Sequence, residues 1–207
     1  MAQDTFDLSP LKRLLMEKLE QISSDLNMGI KTLNDDSYCV LGELKDLKDK
    51  FEQIETMAAS FYLNNYLAPY TDKYFEISTC IQHLSHQRHG ALIVIERKDR
   101  LDPFIRAGTT ISATLTTSLL ESIFYPGNPL HDGAVLVRSN LIFSAANVLP
   151  LSDVVAGGKK LGTRHRAAIG LSEKSDALVL IVSEESGIIS FAKDGSLFPI
   201  SISSPLI

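Results

Sequence analysis

The sequence predicts an α/β fold, a mixed β-sheet flanked by helices and preceded by an α-helical hairpin. Before about residue 60, apolar side chains recur at spacings of three and four, as on amphipathic helices. After about residue 90, short continuous apolar runs alternate with helical stretches, and such runs are typical of strands buried on both faces. We therefore predict two domains, a helical one over residues 1–60 and an α/β one over residues 61–207.

The first predicted helix begins at Ser9-Pro10, because serine caps helix N-termini and proline suits the first helical position. Asn27-Met28-Gly29 is expected to end it, and a second helix is expected to begin near residues 34–37. Each helix has one apolar stripe, which must be buried against a partner, so we predict an antiparallel hairpin. The stripe of the second helix consists of Leu41, Leu44, Leu47, Phe51 and Ile54.

The second domain is predicted to mix strands and helices. Strands are expected at residues 90–96, 133–137, 141–148 and 177–183. Helices are expected at residues 58–66, from Thr71-Asp72 onward, and at residues 117–124 and 161–172. A final hairpin is expected to turn at Asp194-Gly195, a pair that favours tight β-turns.

Composition excludes several classes of protein. The chain has 207 residues, is 44% hydrophobic and carries a net charge of −5, which argues against general binding to nucleic acid. Its two cysteines form neither a metal-binding spacing nor a disulfide framework. No apolar run approaches the ~20 residues that span a membrane, and the N-terminus lacks the layout of a signal peptide. We therefore expect a cytoplasmic protein with no nucleic-acid partner and no membrane anchor.

A histidine, an aspartate and a glycine stand at the entrance to the strand predicted over residues 133–137. Gly133 would leave room for a ligand against the backbone, and Ala134 follows it into the strand. Asp132 can hold a metal ion or accept a proton, and His131 can ligate a metal ion or support a ligand. An aspartate before glycine is more often a plain turn residue, but here a strand follows directly, which favours a functional role.

Two arginines lie at the start of the helix predicted over residues 161–172, in the sequence Gly162-Thr163-Arg164-His165-Arg166. The free N–H groups of a helix N-terminus attract anions, and arginine adds bidentate contacts to phosphate. The helix dipole disfavours cations at that end, so arginines there require an anionic partner such as a triphosphate. The alternative is a solvated helix face. For His165 alone, a structural hydrogen bond is the simpler interpretation.

Further candidate residues follow two other strands. In Ser183-Glu184-Glu185, a glutamate could complete an oxygen-rich Mg²⁺ or Mn²⁺ site with His131 and Asp132 if the strands share one edge. Carboxylates at a strand end are equally common as plain loop residues. The rigid, apolar sequence Leu149-Pro150-Leu151-Ser152 would form one wall of a base pocket or simply leave the core.

Taken in order, these residues resemble the signature of the diadenylate cyclase family. The signature consists of Pro129-Leu130-His131-Asp132-Gly133-Ala134, Gly162-Thr163-Arg164-His165-Arg166-Ala167-Ala168 and Ser183-Glu184-Glu185. Gly90-Ala91-Leu92-Ile93-Val94 also resembles the opening strand of that domain. The resemblance covers roughly residues 60–205, and the helical N-terminal segment is similar to that of the short, sporulation-associated form of the enzyme.

The resemblance implies that two ATP molecules are condensed into cyclic di-AMP with release of two pyrophosphates, and that Mg²⁺ or Mn²⁺ is required. It implies that Asp132 activates the 3′-hydroxyl of ATP and that Gly133 and Leu149 border the adenosine. Val148 departs from the aromatic residue that membrane-anchored members often carry there. The implied phosphate and substrate contacts are Ala134, Gly162, Thr163, Arg164, His165, Arg166 and Ser183. The implied metal-side residues are His131, Asp132, Glu184 and Glu185.

Because the product contains two nucleotides, we expect two sites to face each other in a homo-oligomer. We also expect the N-terminal helices to drive assembly and to lower basal activity. Two other classes stay open: a module that binds the nucleotide or cyclic di-AMP without turnover, and an interaction protein that uses its helices. Asp132 and the two arginines favour the enzyme, because a pure binding protein has no need of the metal-side carboxylate.

Overall fold

The computed structural model describes residues 9–32, 40–153 and 161–200. The chain divides into two compact units, Met1–Phe61 and Tyr62–Ile207. Helix α1 (Ser9–Thr32) belongs to the first unit, and helix α2 (Val40–Leu67) contains the boundary between the two. The prediction of a mixed α/β protein with a helical N-terminal region is confirmed. Among the described residues, no helix combines the length and the apolar character needed to cross a bilayer.

In the first unit, α1 and α2 share a small apolar core. Ile22, Leu47 and Ile54 are buried together, with Leu15 packed against them, and Lys50 contacts Asp25 at 2.8 Å. Because earlier residues of α1 meet later residues of α2, the two helices are antiparallel in this unit, as predicted.

Two predicted helix boundaries are wrong, and another lies outside the described residues. Helix α1 continues past Gly29 to Thr32, and a Cβ on this glycine would lie 3.2 Å from a carboxylate oxygen of Glu43 in α2. The glycine therefore allows the helices to approach closely and does not end α1. The separate helix expected over residues 58–66 is part of α2, since no glycine or proline interrupts residues 43–67. The predicted start of the second helix at residues 34–37 lies outside the described residues.

The second unit contains a seven-stranded mixed sheet with the strand order β2-β4-β3-β1-β5-β6-β7. Among the strands that the structure describes, only β1 and β3 pair in parallel, with Ile93 opposite Val135, and the other neighbouring strands are antiparallel. The strands are β1 (Ala91–Ile95), β2 (Thr109–Thr114), β3 (Ala134–Arg138), β4 (Leu141–Asn147), β5 (Leu178–Val182), β6 (Ile189–Lys193) and β7 (Ser196–Ile200).

Helices cover the central strands, which explains their unbroken apolar runs. Helix α5 (Thr163–Ser172) packs Ala168 and Leu171 into a core that includes Leu92 and Val179. The alternate residues of the same strands are equally buried, so the sheet has no solvated face at its centre. Helix α3 (Tyr74–Gln87) lies against β5, and α4 (Thr117–Phe124) packs on α3.

Strand β2 was missed by the sequence pattern. Its residues are mostly polar and exposed, and they occupy an outer position of the sheet beside β4, where one partner supplies the hydrogen bonds. The final hairpin is formed as predicted: Asp194 and Gly195 both have positive φ, 50° and 73°, as a tight turn between β6 and β7 requires.

Candidate functional site

The ends of four strands meet at one edge of the sheet. Ala91 pairs with Val182, Ala134 pairs with Asn147, and β1 runs parallel to β3. The residues that precede β1 and β3 therefore lie at the same edge as the residues that follow β4 and β5. We call this the site edge, and it carries most of the residues singled out in the sequence: His131, Asp132, Gly133, Ala134, Leu149, Ser183, Glu184 and Glu185.

The loop before β3 is held by Asn128. Its Oδ1 accepts a hydrogen bond from the N–H of Leu130 at 2.9 Å, and its Nδ2 donates to the carbonyl of Ser122 at 2.7 Å. The carbonyl oxygen of Asn128 lies 2.6 Å from Nδ1 of His131. Because a carbonyl oxygen only accepts, Nδ1 carries a proton in this contact, and Nε2 is the ring nitrogen left to meet a ligand. Asp132 follows with its side chain exposed.

Gly133 is required by the neighbouring strand. Its φ is +122°, and a Cβ on it would lie 2.8 Å from the carbonyl carbon of Ala146 and 2.9 Å from the carbonyl oxygen of Asn147. The sequence suggested that this glycine leaves room for a ligand. The structure shows that it also leaves room for the backbone of β4. Ala134 is fully buried, and its carbonyl already accepts a hydrogen bond from the side chain of Asn147, so neither its side chain nor its backbone is open to a ligand at the site edge.

Arg164 lies across the start of β1. Its Nη1 contacts Oε2 of Glu184 at 2.8 Å, and a Cβ on Gly90 would lie 2.5 Å from the same nitrogen. The arginine side chain is only a quarter exposed, so it is not part of a solvated helix face. An anionic partner is expected for an arginine at a helix N-terminus, and in this structure that partner is the carboxylate of Glu184.

Arg166 engages the segment that follows β4. Its Nε donates to the carbonyl of Ser152 at 3.1 Å, its own carbonyl accepts from the N–H of Ser152 at 3.0 Å, and its Nη2 lies 4.0 Å from Asp153. A Cβ on Gly170 would lie 2.4 Å from the carbonyl oxygen of Pro150, so α5 and this segment touch through their backbones. Arg166 therefore holds the segment against the first turn of α5.

The side chain of Leu149, which follows β4, lies in the core. It is 6% exposed and belongs to the core that contains Ala168 and Leu171, which matches the second of its two sequence interpretations. The exposed apolar side chains in this part of the site edge belong to Val148 and Leu151.

The first turn of α5 provides backbone donors. The first intrahelical hydrogen bond joins the N–H of Arg166 to the carbonyl of Gly162 at 3.1 Å, so the N–H groups of Thr163, Arg164 and His165 precede the helical ladder. Burial lowers the pKa of His165, and the nearby carboxylate of Glu185 partly opposes that shift. The imidazole is therefore neutral near pH 7, and the positive charge in this turn comes from the two arginines.

The four residues expected on the metal side are not gathered into one group. The N–H of Ser186 donates to Oγ of Ser183, forming a turn after β5 on which Glu184 and Glu185 are exposed. Glu184 is turned to Arg164. Within the described ranges, no three His, Cys, Asp or Glu side chains are close enough to hold a metal ion.

Two residues at the site edge were not predicted as site residues from the sequence. Gly90 accommodates the guanidinium of Arg164, and its signal was a glycine placed immediately before a buried strand. Asn147 is 1% exposed and hydrogen-bonded on several sides, and its signal was an amide inside the apolar run over residues 141–148.

Comparison with known families agrees with this geometry. Residues 78–197, more than half of the chain, match the family described as "DisA bacterial checkpoint controller nucleotide-binding". The sheet and its site edge thus define a nucleotide-binding domain. Residues 2–70 match a second family, "Diadenylate cyclase CdaS, N-terminal". The chain belongs to the diadenylate cyclase family, and the resemblance read from its motifs is confirmed.

Individual relatives resemble the chain over most of its length. It is 51% identical to "Diadenylate cyclase CdaS" of Bacillus thuringiensis, over 93% of this chain and 96% of that protein. It is 53% identical to "Cyclic di-AMP synthase CdaS" of Bacillus subtilis, over 88% of this chain and 87% of that protein. A crystal structure of a "hypothetical membrane spanning protein" from Bacillus cereus is similar with a TM-score of 0.73 and 51% identity, covering 93% of this chain and 95% of that one.

Proposed function

We propose that this chain condenses two ATP molecules into cyclic di-AMP and releases two pyrophosphates, with the chemistry at the site edge. The observation that carries this proposal is the position of Arg164, which is held over Gly90 at the edge where the strand after Asp132 begins. A phosphate-binding cation and a solvent-accessible carboxylate at one sheet edge are what nucleotidyl transfer needs. Family membership agrees with this reaction.

In each transfer, the 3′-oxygen of one ATP forms a bond to the α-phosphorus of the other. The bond from that phosphorus to the bridging oxygen breaks, pyrophosphate leaves, and the hydroxyl loses its proton. Asp132 is the group we assign to orient the hydroxyl and accept that proton, because its carboxylate is exposed and the next residue, Gly133, lies close against the backbone of β4. Two such transfers close the ring.

Arg164 and the first turn of α5 are assigned to the triphosphate. The backbone N–H groups of Thr163 and His165, and the guanidinium, supply donors and positive charge where negative charge develops on the phosphorus oxygens. Glu184 keeps the guanidinium over Gly90 and is in this view a positioning residue. Arg166 is assigned an indirect role: its Nε binds the carbonyl of Ser152, so it positions the segment after β4 beside the substrate.

A divalent cation fits the residues before β3 better than the pair after β5. The Nδ1–H of His131 is fixed by a carbonyl, which is the usual way to aim Nε2 at a metal, and the next residue, Asp132, has an exposed carboxylate. Mg²⁺ and Mn²⁺ commonly take one or two protein ligands and complete their shell with phosphate oxygens and water. Such an ion would neutralise charge on the triphosphate and favour departure of pyrophosphate.

One chain presents one such edge, whereas the product needs two nucleotides joined twice. We therefore propose that two chains present their site edges to each other in a homo-oligomer. The N-terminal helices are proposed to govern that assembly and to hold back basal activity. They expose apolar side chains, among them Met16, Ile30 and Leu41. Removing residues 1–61 should change the oligomer size on a sizing column and raise the cyclic di-AMP output per chain.

The experiment for the activity uses the full chain with ATP and either Mn²⁺ or Mg²⁺. Separation of the nucleotides by liquid chromatography should show cyclic di-AMP, with two pyrophosphates formed for each product molecule. Turnover per chain should rise with protein concentration if two chains must meet. Binding of ATP without any product would identify the chain as a nucleotide-binding module and contradict the proposal.

A further inference from the structure

The pairing of β3 with β4 is irregular at the site edge. Ala134 pairs with Asn147 but Leu136 pairs with Ser144, so β4 contains one more residue than β3 across the same stretch. Ala146, within the bulge, has a φ of +55°. A bulge leaves groups of the ladder without their regular partners and redirects the chain beside it, and this one adjoins Gly133.

The side-chain amide of Asn147 supplies the missing partners. Its Nδ2 donates to the carbonyl of Ala134 at 2.7 Å, and its Oδ1 accepts from the backbone N–H of Gly108 at 3.0 Å. The same oxygen accepts from the hydroxyl of Ser144 at 2.9 Å. One amide thus joins β4 to β3 and to the residue that precedes β2. Because Asn147 is buried, losing a partner would leave a polar group without solvent to replace it.

We propose that Asn147 is a positioning residue for the nucleotidyl transfer. Its amide binds the carbonyl of Ala134 and so fixes the first residue of β3, from which Gly133 and Asp132 lead away in the N-terminal direction. The proposal rests on the proposed function, since it assigns Asn147 to that same site. It predicts that the amide acts on the chemical step, because misplacement of a reacting group lowers turnover even where the substrate still binds.

Asn140, which immediately precedes β4 at the other end of the strand, provides a matched comparison. Its Oδ1 accepts from the hydroxyl of Thr71 at 3.0 Å and from the N–H of Asp72 at 2.9 Å, and its Nδ2 lies 3.2 Å from a carboxylate oxygen of Asp72. Like Asn147, it uses both ends of its amide to join separate segments. Unlike Asn147, it lies at the end of β4 away from the site edge.

The test compares Asn147→Asp with Asn140→Asp in the full chain. Each change keeps the side-chain volume and replaces an N–H donor by an oxygen that faces another oxygen. For Asn147→Asp, kcat for cyclic di-AMP should fall about tenfold or more, while KM for ATP changes by less than about threefold. For Asn140→Asp, melting should shift but kcat should stay within about twofold of the wild type. Both are assayed well below their melting temperatures.

An Asn147→Asp enzyme with the kcat of the wild type would overturn the proposal. So would an equal loss of kcat in Asn140→Asp, because the effect would then follow from general destabilisation. If Asn147→Asp does not fold, the Ser144→Ala variant tests the proposal instead, since it removes only the hydroxyl that donates to the amide of Asn147. A fall in kcat of about threefold supports the proposal, and an unchanged kcat overturns it. A wild-type chain that makes no cyclic di-AMP contradicts the proposed function instead, and the two failures are distinguishable.

Discussion

The two edges of the sheet use their charged residues differently. At the edge where β1 and β3 end, Arg138 contacts Glu96 at 2.9 Å and Asp102 at 2.8 Å, and its guanidinium covers the ring of Phe143. Asp176, before β5, accepts from the N–H of Asp99 at 3.1 Å. We call this group the far edge: Glu96, Asp99, Asp102, Arg138 and Asp176.

At the far edge, the charges serve the fold. The side chains of Arg138 and Glu96 are 16% and 9% exposed, and the hydrogen bond from Arg138 lowers the pKa of Asp102. At the site edge, the carboxylates face outward. Asp132 is exposed, and the partner of Arg164, Glu184, has a side chain that is 67% exposed. The comparison teaches that one sheet separates stabilising ion pairs from groups that a ligand can reach.

The sharpest test of this difference exchanges one carboxylate at each edge for an amide. Asp132→Asn should lower turnover by on the order of 10² or more with ATP binding little changed, because the acceptor of the 3′-hydroxyl proton is lost. Asp102→Asn at the far edge should leave kcat unchanged. Cyclic di-AMP formation under saturating ATP measures both. A near-normal rate for Asp132→Asn would remove this carboxylate from the mechanism.

The reverse effect is expected from the arginine of the far edge. Arg138→Ala leaves the carboxylate of Glu96 nearly buried and without its cation, so the free energy of unfolding should fall by about 3 kcal/mol. Urea denaturation followed by circular dichroism gives this value. ATP affinity of the folded variant should match that of the wild type. An equal loss of ATP affinity would mean that the two edges are not functionally separate.

Arg164→Ala should weaken binding of ATP or a non-hydrolysable analogue by about 1.5–3 kcal/mol, the range for hydrogen bonds between charged groups. Its unfolding free energy should change little, because Glu184 is exposed and water replaces the lost partner. Isothermal titration calorimetry measures the affinity. Unchanged affinity would exclude Arg164 from the phosphate site.

Gly90→Ala tests the same contact without touching the arginine. The added Cβ would displace the end of a flexible side chain, so the chain should fold while ATP affinity falls severalfold. Gly42→Ala in α2 is a suitable control, because the added Cβ would meet open space and the backbone there is helical. Equal ATP affinity in Gly90→Ala and the wild type would contradict the placement of Arg164 over Gly90.

The smallest expected effect concerns pH. Burial lowers the pKa of His165 in the folded chain, so the unfolded chain takes up its proton first as the pH falls. This residue therefore lowers the free energy of unfolding at pH values below its ordinary pKa of about 6.5, and it has no such effect at pH values well above it. The melting temperature of His165→Gln minus that of the wild type should increase as the pH falls from about 7.5 to about 5.5. A constant difference would mean that His165 titrates normally.

Local sequence was sufficient for the elements that depend on periodicity or on turn residues. The central strands, α5 and the turn at Asp194-Gly195 were all predicted, because buried runs, helical spacing and residues that tolerate positive φ act over a few positions. The family was also recognisable, since its motifs are short and contiguous. Strand β2 was missed because its polar residues pair at the outside of the sheet and carry no apolar pattern.

What the sequence determined by itself was the order of elements and the set of chemically able residues at their ends. Only the tertiary structure decided which of these residues meet. Arg164 contacts Glu184, twenty positions away in the sequence, and Asn147 donates a hydrogen bond to the carbonyl of Ala134, thirteen positions away. Sheet register and helix packing determine these partners, because both bring together backbones that are distant in the chain. Gly29 likewise lies inside α1, where a Cβ would come within 3.2 Å of a carboxylate oxygen of Glu43 in the other helix, and the local sequence does not show this proximity.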